Sequence, residues 1–396
     1  MMQISPEIQL FIREHSSDDV RVLALQAKKY PDIDMPTAIT QIAGRKVAAE
    51  KIPSWWEIEK IWYPKHLSLE QCSSEITARY KARLLQGDSL TDLTGGFGID
   101  CSFLATGFKS ATYVERQEEL CEIAAHNFPV LNLNHINIKN EDGVTYLQAM
   151  SPVDCLFLDP ARRNEHGGKT VAISDCEPNV AELEEPLLQK ANRVMIKLSP
   201  MLDLSLALKE LKQTQEVHIL SVNNECKELL ILLGQTSPTE ISIHCVNLST
   251  KGTQEEQHFV FTREQEQCSE CTYTDSLETY LYEPNASLLK AGAFRSIAAA
   301  YPVRKLHPNS HLYTSDTFIE NFPGRIFRIV NQCSFNKKEV KENLADLKKA
   351  NVTVRNFPAT VAELRKRIHL AEGGDTYLFA STLNNGQKVL IRCEKV

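Results

Sequence analysis

From residue 89 onward, short apolar runs alternate with helical stretches, and this alternation constrains the fold more than any other feature of the chain. Strand and helix in turn, at this spacing, predict an α/β domain with a mainly parallel sheet. The last two apolar runs lie too close together for a helical crossover, so we expect an antiparallel pair at the edge of the sheet. The predicted strands are 89–93, 111–115, 136–139, 153–158, 193–197, 216–222 and 229–233.

The chain changes character on both sides of this region. Apolar residues before it recur at helical spacing, and Ser68 is the expected N-cap of a helix, with Gln71 placed as in a capping box. After it we expect a helix at 285–300 and then a small α+β segment with a hairpin turn at Asn384-Asn-Gly386. The predicted domains are a helical region at 1–85, the α/β domain at 86–240, a linker and small segment at 241–321, and the α+β domain at 322–396.

The bulk composition is that of a globular protein, with 42% hydrophobic and 24% charged residues among 396. The N-terminus has no basic stretch followed by a long apolar run, and no window is apolar enough to span a bilayer. The 11 cysteines are scattered without even spacing, as is typical of reduced thiols. We therefore expect a cytoplasmic protein with no membrane partner.

Charge is distributed unevenly along the chain. Residues 322–396 carry 14 Lys and Arg against 7 Asp and Glu, within a chain whose formal net charge is −7. A basic module at one end indicates an anionic partner. A basic surface that serves only solubility is the alternative.

A glycine-rich turn, Asp92-Leu-Thr-Gly-Gly-Phe-Gly98, directly follows the first predicted strand and opens a helix. Glycines at this place let the backbone pass close to a cofactor at the helix N-terminus. Glu115 ends the second strand and is placed to accept hydrogen bonds from ribose hydroxyls. Asp142 follows the third strand, where a carboxylate could meet an adenine amino group.

Two details separate this turn from that of nicotinamide-dependent oxidoreductases. It reads Gly-Gly-x-Gly, whereas the dinucleotide fingerprint is Gly-x-Gly-x-x-Gly. It also begins with Asp92, a carboxylate that would repel a pyrophosphate and would suit a positively charged sulfonium compound. The turn therefore favours a methyl donor over NAD.

In order and spacing, the glycine turn, Glu115, Asp142 and Asp159-Pro-Ala-Arg162 resemble the successive motifs of class I S-adenosylmethionine-dependent methyltransferases. The resemblance covers residues 68–235, and 68–75 look like the helix start that such enzymes place over the methionine end of the donor. It implies a Rossmann-like sheet with S-adenosylmethionine as cofactor. The implied cofactor-binding residues are Ser73, Asp92, Thr94, Gly95, Gly96, Phe97, Gly98, Glu115, Arg116, Asp142, Gly143 and Asp159.

Asp159-Pro-Ala-Arg162 also resembles the catalytic turn of nucleic-acid methyltransferases. By that resemblance Asp159 orients the acceptor, and Pro160 and Arg162 belong to the same catalytic turn. The aromatic residue that stacks on a target base in the amine-modifying group is absent here. The cysteine nucleophile of the pyrimidine-carbon group is replaced by the stretch Lys197-Leu-Ser-Pro200, which leaves Cys226 as its one substitute.

The C-terminal segment resembles the THUMP-like domain of a bacterial methyltransferase family, and residues 277–321 resemble the ferredoxin-like segment of that family. THUMP domains proper deliver RNA to catalytic domains, so the resemblance implies a tRNA or rRNA partner. We expect phosphate contacts from basic side chains of this domain. They are Arg325, Arg355, Arg365, Lys366 and Arg367.

Cys268-Ser-Glu-Cys271 has the spacing of half a zinc site, but a second pair of ligands is missing nearby and His258 is the one close candidate. We therefore expect no metal. The sequence predicts an RNA methyltransferase. Two alternatives remain open: a methyltransferase acting on a small molecule or a protein, and a non-catalytic RNA-binding adaptor with a vestigial donor pocket.

Overall fold

A computed structural model describes residues 4–162, 172–250 and 256–396. The chain separates into two compact units. Unit 1 comprises residues 1–216 and 229–239, and unit 2 comprises residues 217–228 and 240–396. None of the described helices is long and apolar enough to cross a membrane.

Unit 1 begins with the helical region that the apolar spacing predicts. Its helices are α1 (Pro6–Glu14), α2 (Val20–Leu25), α3 (Met35–Lys51), α4 (Pro53–Trp56), α5 (His66–Gln71) and α6 (Glu75–Ala82), with a 3₁₀ turn at Ala27–Lys29. Ser68 does not cap a helix, and this prediction is wrong. The N-cap of α5 is Lys65, three residues before Ser68, and the helix buries Leu69 in the apolar core.

The α/β part of unit 1 follows. Its strands are β1 (Ser89–Asp92), β2 (Ser110–Glu115), β3 (Ile136–Asn140), β4 (Val153–Leu158), β5 (Ala161–Arg162), β6 (Cys176–Glu177) and β7 (Ala191–Leu198). Two further strands, β8 (Thr214–Val222) and β9 (Glu225–Gly234), each have residues in both units. Its helices are α7 (Ile99–Ala105), α8 (Glu118–Val130), α9 (Gly143–Ala149), α10 (Glu184–Lys190) and α11 (Leu204–Glu210), with a 3₁₀ turn at Ile173–Asp175.

The sheet confirms the predicted fold class. Strands β3, β2, β1, β4 and β7 lie side by side in this order and are all parallel. Strand β9 lies between β7 and β8 and is antiparallel to β7. The edge position predicted for β8 and β9 is wrong, because the sheet continues beyond β8. Strands β5 and β6 form a separate small ribbon after the end of β4.

Two buried amides attach the helical region to the α/β part. The Gln41 side chain of α3 donates to the carbonyl of Tyr63 and accepts from its N–H, both at 2.9 Å. The Asn127 side chain of α8 makes the same pair of 2.9 Å bonds with the backbone of Trp62. These bonds satisfy backbone groups of Trp62 and Tyr63 that are removed from water. The segment that connects the helical region to the α/β part is therefore held by both α3 and α8.

Unit 2 contains β10 (Ser242–Leu248), β11 (Glu256–Thr262), α12 (Arg263–Cys268), β12 (Tyr280–Pro284), α13 (Ala286–Ala291), α14 (Ser296–Ala300), β13 (Arg304–Lys305), β14 (Tyr313–Ser315), β15 (Gly324–Ser334), α15 (Lys337–Leu344), β16 (Asn351–Val354), α16 (Val361–Ile368), β17 (Thr376–Thr382) and β18 (Lys388–Lys395). The single helix predicted for 285–300 is instead two short ones. Gly292 ends α13 with a φ of +79°, which a glycine adopts without strain.

Strands β12 to β18 form one sheet of seven strands, in the order β13-β14-β12-β15-β18-β17-β16. Strand β12 is antiparallel to β15, so the C-terminal strands and those of the preceding segment share hydrogen bonds. Their apolar side chains also form one core, in which Leu281 and Leu312 pack with Phe327 and Phe379.

Candidate active site

The glycine turn lies between β1 and α7, as the sequence predicts. Gly98 is the N-cap of α7 with a φ of +86°, and Gly96 has a φ of +54°. A Cβ on Gly95 would lie 2.2 Å from the Tyr113 ring, so the turn passes directly over that ring. A Cβ on Gly96 would meet nothing nearer than 3.7 Å, which leaves room beside this one glycine.

Side chains from the end of β2 hold the turn in place. The Glu115 carboxylate accepts from the N–H of Gly96 at 2.9 Å and from the N–H of Gln117 at 2.8 Å. The buried Tyr113 hydroxyl donates to the carbonyl of Gly96 at 2.5 Å. Glu115 therefore shapes the turn, and its role toward a ribose stays a prediction.

Asp92 ends β1 and is only 1% exposed. Its Oδ1 accepts from the N–H of Thr94 at 2.9 Å, whereas its Oδ2 is buried and has no hydrogen-bond partner among the described residues. Burial raises the pKa of Asp92 well above its usual range, and the carboxylates of Asp100, Asp159 and Glu115 raise it further. A cation beside Asp92 would relieve both effects.

The turn after β4 reaches the same place. The backbone N–H of Asp159 donates to the Thr94 hydroxyl at 2.6 Å, which ties this turn to the glycine turn. The Asp159 side chain is 36% exposed and contacts the Lys197 ammonium at 2.5 Å. Pro160 is buried. The Arg162 backbone lies in β5, and its side chain lies outside the described part of the structure.

Asp159 borders a buried cluster of charged side chains, which sequence reasoning missed. Lys81 is fully buried, and its Nζ lies 2.9 Å from Asp100 Oδ1 and 2.8 Å from the Ser73 hydroxyl. Ser73 in turn donates to Asp100 Oδ2 at 2.7 Å. Lys197, at the end of β7, donates to Ser73 at 3.0 Å and to Asp100 at 3.3 Å.

Burial and neighbouring charges act in opposite directions on the carboxyl groups of this cluster. Burial alone would raise the pKa of Asp100, but Lys81 and Lys197 bring it down to about 2. The pKa of Asp159 is raised, because the effect of burial exceeds the opposing effect of Lys197. Asp100 is therefore ionised at neutral pH.

The start of α9 lies against the end of β1. A Cβ on Gly143 would lie 2.1 Å from the Leu93 carbonyl oxygen, so only glycine fits at this crossing. Asp142 caps the helix through its Oδ1, which accepts from the N–H groups of Val144 and Thr145. Asp142 and Gly143 therefore lie beside the glycine turn. Contact of Asp142 with an adenine remains a prediction.

Two other predicted cofactor residues have structural contacts of their own. Phe97 is buried, and its ring packs edge-on against Trp55 of α4, with 5.2 Å between ring centroids. Arg116 is exposed and lies 3.4 Å from the Glu177 carboxylate. Phe97 therefore joins the helical region to the turn, while Arg116 lies on the surface.

Of the residues that sequence reasoning missed, Lys197 is the one with a recognisable signal in the sequence. It follows the apolar run Val194-Met-Ile196 and ends a strand of the parallel sheet, where ligand-binding side chains commonly lie. Lys81 and Asp100 lie on helices and carry no comparable signal.

A crystal structure of a candidate methyltransferase from Porphyromonas gingivalis W83 is 35% identical to the chain, covers 98% of both chains and superposes with a TM-score of 0.87. The chain belongs to the same family. Its C-terminal part matches two domain families, a ferredoxin-like domain over residues 280–323 and a THUMP-like domain over residues 324–395. No curated protein matches the chain.

Two further solved structures are similar at a lower level. A candidate methyltransferase from Streptococcus mutans in complex with SAH is 13% identical over 40% of this chain and 96% of its own, with a TM-score of 0.30. An rRNA methylase from Streptococcus thermophilus is 14% identical over 40% of this chain and 93% of its own, with a TM-score of 0.29. Likeness at these TM-scores supports no argument about this chain.

In the THUMP-like domain, two of the predicted phosphate-binding arginines share one partner. The Arg325 guanidinium donates twice to Glu283 Oε2, and Arg355 donates to Glu283 Oε1 at 3.0 Å. The Glu283 side chain is only 2% exposed. Both arginines therefore help to neutralise a buried carboxylate that the ferredoxin-like domain supplies.

The other three basic residues lie on α16. Arg365 is 18% exposed and lies 3.7 Å from Glu372. Lys366 is exposed, and Arg367 is exposed with its guanidinium over the Phe335 ring at 4.0 Å. Lys366 and Arg367 are thus accessible, and binding of phosphate by any of the five stays a prediction.

All the cysteines are unpaired. Burial raises the pKa of Cys226 to about 11, so its thiol is protonated at neutral pH, which disfavours it as a nucleophile. Cys268 is exposed and Cys271 is half-buried. His258 lies 3.1 Å from a ring nitrogen of His244.

Proposed function

We propose that the chain is an S-adenosylmethionine-dependent methyltransferase that acts on RNA in the cytoplasm. In this proposal residues 86–240 bind the donor and residues 322–396 present the RNA. The observation that carries it is the buried Asp92 carboxylate, which has an oxygen without a partner among the described residues, beside a glycine turn with room at Gly96. The unpaired cysteines support a reducing compartment.

The donor fits this site by its charge. A buried carboxylate oxygen without a partner is costly, and a positively charged ligand would satisfy it. The neighbouring carboxylates of Asp100, Asp159 and Glu115 also favour a cation, because their negative charge opposes ionisation of Asp92. S-adenosylmethionine supplies a methyl group on a positively charged sulfur. Asp92, Glu115 and the backbone of the glycine turn would hold it.

The acceptor is assigned to Asp159 and the turn that contains Pro160 and Arg162. Asp159 is tied to the glycine turn through Thr94, so a group that hydrogen-bonds its carboxylate is brought beside the donor site. Methyl transfer requires the nucleophile to be placed in line with the methyl group, and such positioning can supply much of the rate acceleration.

RNA is assigned as the substrate because a basic, THUMP-like domain ends the chain. Arg325 and Arg355 are already paired with Glu283, so the exposed Lys366 and Arg367 of α16 are the stronger candidates for phosphate contacts. Such contacts weaken steeply as the salt concentration rises.

Donor binding tests the first half of the proposal. We expect S-adenosylmethionine to bind in calorimetry, and Asp92→Asn to weaken it about 10- to 100-fold, because a charge-assisted contact is lost. A cationic donor favours ionised Asp92, so binding should release a proton, and affinity should rise with pH until Asp92 is ionised in the free protein. Asp88→Asn, at an exposed residue directly before β1, is the control. Absence of binding by the intact protein would overturn the enzyme claim and point to the RNA-binding adaptor.

Methyl transfer tests the second half. The protein is incubated with tritiated donor and total RNA from a strain that lacks the gene, and labelled nucleosides are identified by mass spectrometry. Lys366→Glu with Arg367→Glu should reduce labelling and RNA affinity at low salt while leaving donor affinity unchanged. Donor binding without RNA labelling or RNA affinity would contradict RNA as the substrate, and it would favour a small molecule or a protein.

A further inference from the structure

Lys197 is a buried cation at the carboxyl end of β7, with a side chain only 10% exposed. A buried ammonium is stable only when its charge and its hydrogen bonds are satisfied. Its Nζ reaches Ser73 at 3.0 Å, Asp100 at 3.3 Å and Asp159 at 2.5 Å. These three partners come from the segment before α6, from α7 and from the turn after β4.

Several charged groups act on the Asp159 carboxyl from different elements. Lys197 of β7 favours its ionised form by charge and by a hydrogen bond, and Lys81 of α6 acts in the same direction. Burial and the Asp100 carboxylate of α7 oppose ionisation, and Asp92 of β1 is a further carboxylate that interacts with it. Lys197 is the one of these groups that both opposes the effect of burial and contacts Asp159 directly.

The orientation of Asp159 depends on two contacts. Its backbone N–H is held by Thr94 at 2.6 Å, and its Oδ2 is held by Lys197. With the backbone and one carboxylate oxygen fixed, the other oxygen keeps a defined direction. An ionised carboxylate accepts hydrogen bonds at both oxygens, whereas a protonated one has a hydroxyl in place of one acceptor.

We propose that Lys197 is a positioning residue that holds one oxygen of the Asp159 carboxyl by charge and by a hydrogen bond, and so directs Oδ1, the oxygen that Lys197 does not contact, toward an acceptor bearing an N–H or O–H group. This inference rests on the proposed function, because it assigns the acceptor to Asp159. Lys197 itself makes and breaks no covalent bond. It acts by charge and by a hydrogen bond on the residue that contacts the substrate.

Titration of the Asp159 carboxyl tests the inference without any activity assay. Carbon-13 in aspartate carboxyl groups reports ionisation by NMR, and Asp159→Asn identifies the signal of Asp159. In Lys197→Met we expect the titration midpoint of Asp159 to move to higher pH, and Lys197→Arg should restore it. Arg193→Met, on the same strand with its own partner Glu216, should leave the midpoint unchanged.

An unchanged midpoint in folded Lys197→Met would overturn the inference. If that variant does not fold, Lys197→Gln decides the same point, because it keeps a hydrogen-bond donor and removes the charge. Once an acceptor is identified, transfer by Lys197→Met should be slower than wild-type transfer at low pH, where more of Asp159 is protonated in the variant. It should recover toward the wild-type rate as the pH rises. Failure to find transfer by the wild-type protein would contradict the proposed function, while the titration would still decide the role of Lys197.

Discussion

Lys81→Met is the substitution whose effect on stability can be estimated most directly from the structure. Lys81 is fully buried and lies 2.9 Å from Asp100, so the variant removes one cation from a buried ion pair and keeps a side chain of similar length. Removing one partner of a buried pair typically costs about 3–5 kcal/mol. Lys197 also contacts Asp100, so we expect the lower end of this range.

Amide hydrogen exchange, followed by mass spectrometry, measures this loss of stability in individual segments of the chain. A loss of about 3 kcal/mol raises the exchange rate of amides that open with this cluster by about two orders of magnitude. The affected peptides should be those of α6 and α7. Lys65→Met is the matched control, because Lys65 pairs with Glu119 at 2.6 Å on the surface and its side chain is 75% exposed. Such an exposed pair contributes about 0–1 kcal/mol.

The pH dependence gives a second check. The pKa of Asp100 is about 2 in the folded protein, below the usual value of about 3.9 for an unfolded chain. A lowered folded-state pKa stabilises the protein above the unfolded pKa, and this stabilisation is lost as the pH falls toward 2. The difference between wild type and Lys81→Met should therefore be largest above about pH 4 and should narrow below it. Equal effects of Lys81→Met and Lys65→Met at neutral pH would refute the reasoning.

Two further predictions concern packing and a buried carboxylate. Gly143→Ala places a Cβ 2.1 Å from the Leu93 carbonyl oxygen, so we expect the free energy of unfolding, measured by thermal denaturation, to fall by about 1–3 kcal/mol. The control is Gly107→Ala, whose Cβ would meet nothing nearer than 3.7 Å and whose stability should stay close to that of the wild type. Glu283→Gln leaves Arg325 and Arg355 without their shared anion and should accelerate hydrogen exchange in β12 and β15 strongly, by about two orders of magnitude. The exposed pair of Arg328 with Glu394 provides the control Glu394→Gln, and equal exchange in the two variants would contradict the assignment.

Features set by neighbours along the chain were predictable. The apolar run that predicts a strand at 153–158 matches β4 residue for residue, and the glycine turn follows β1 as expected. Helix ends were less predictable, because packing decides them. Helix α5 begins at His66, before Ser68, although Lys65 makes no side-chain cap. The left-handed backbone at Gly292 divides a helix whose apolar pattern continues.

The charged cluster could not be predicted, because its members come together only in the folded chain. Ser73 and Lys197 are 124 positions apart, and no periodic pattern relates them. Glu283 is a similar case, since a buried glutamate with two arginine partners looks like any surface glutamate in the sequence. Strand pairing sets such distances, and the order of strands in a sheet is not written in local periodicity.

Strand β12 of the ferredoxin-like segment pairs with β15 of the THUMP-like segment from Tyr280 opposite Arg328 to Pro284 opposite Gly324. A gene fusion or a truncation that separates the two segments would leave an unpaired strand edge and half of a shared core. We therefore expect the two segments to occur together in related proteins. The same pairing makes point substitutions, and not removal of residues 322–396, the sound way to ask what the basic end of the chain binds.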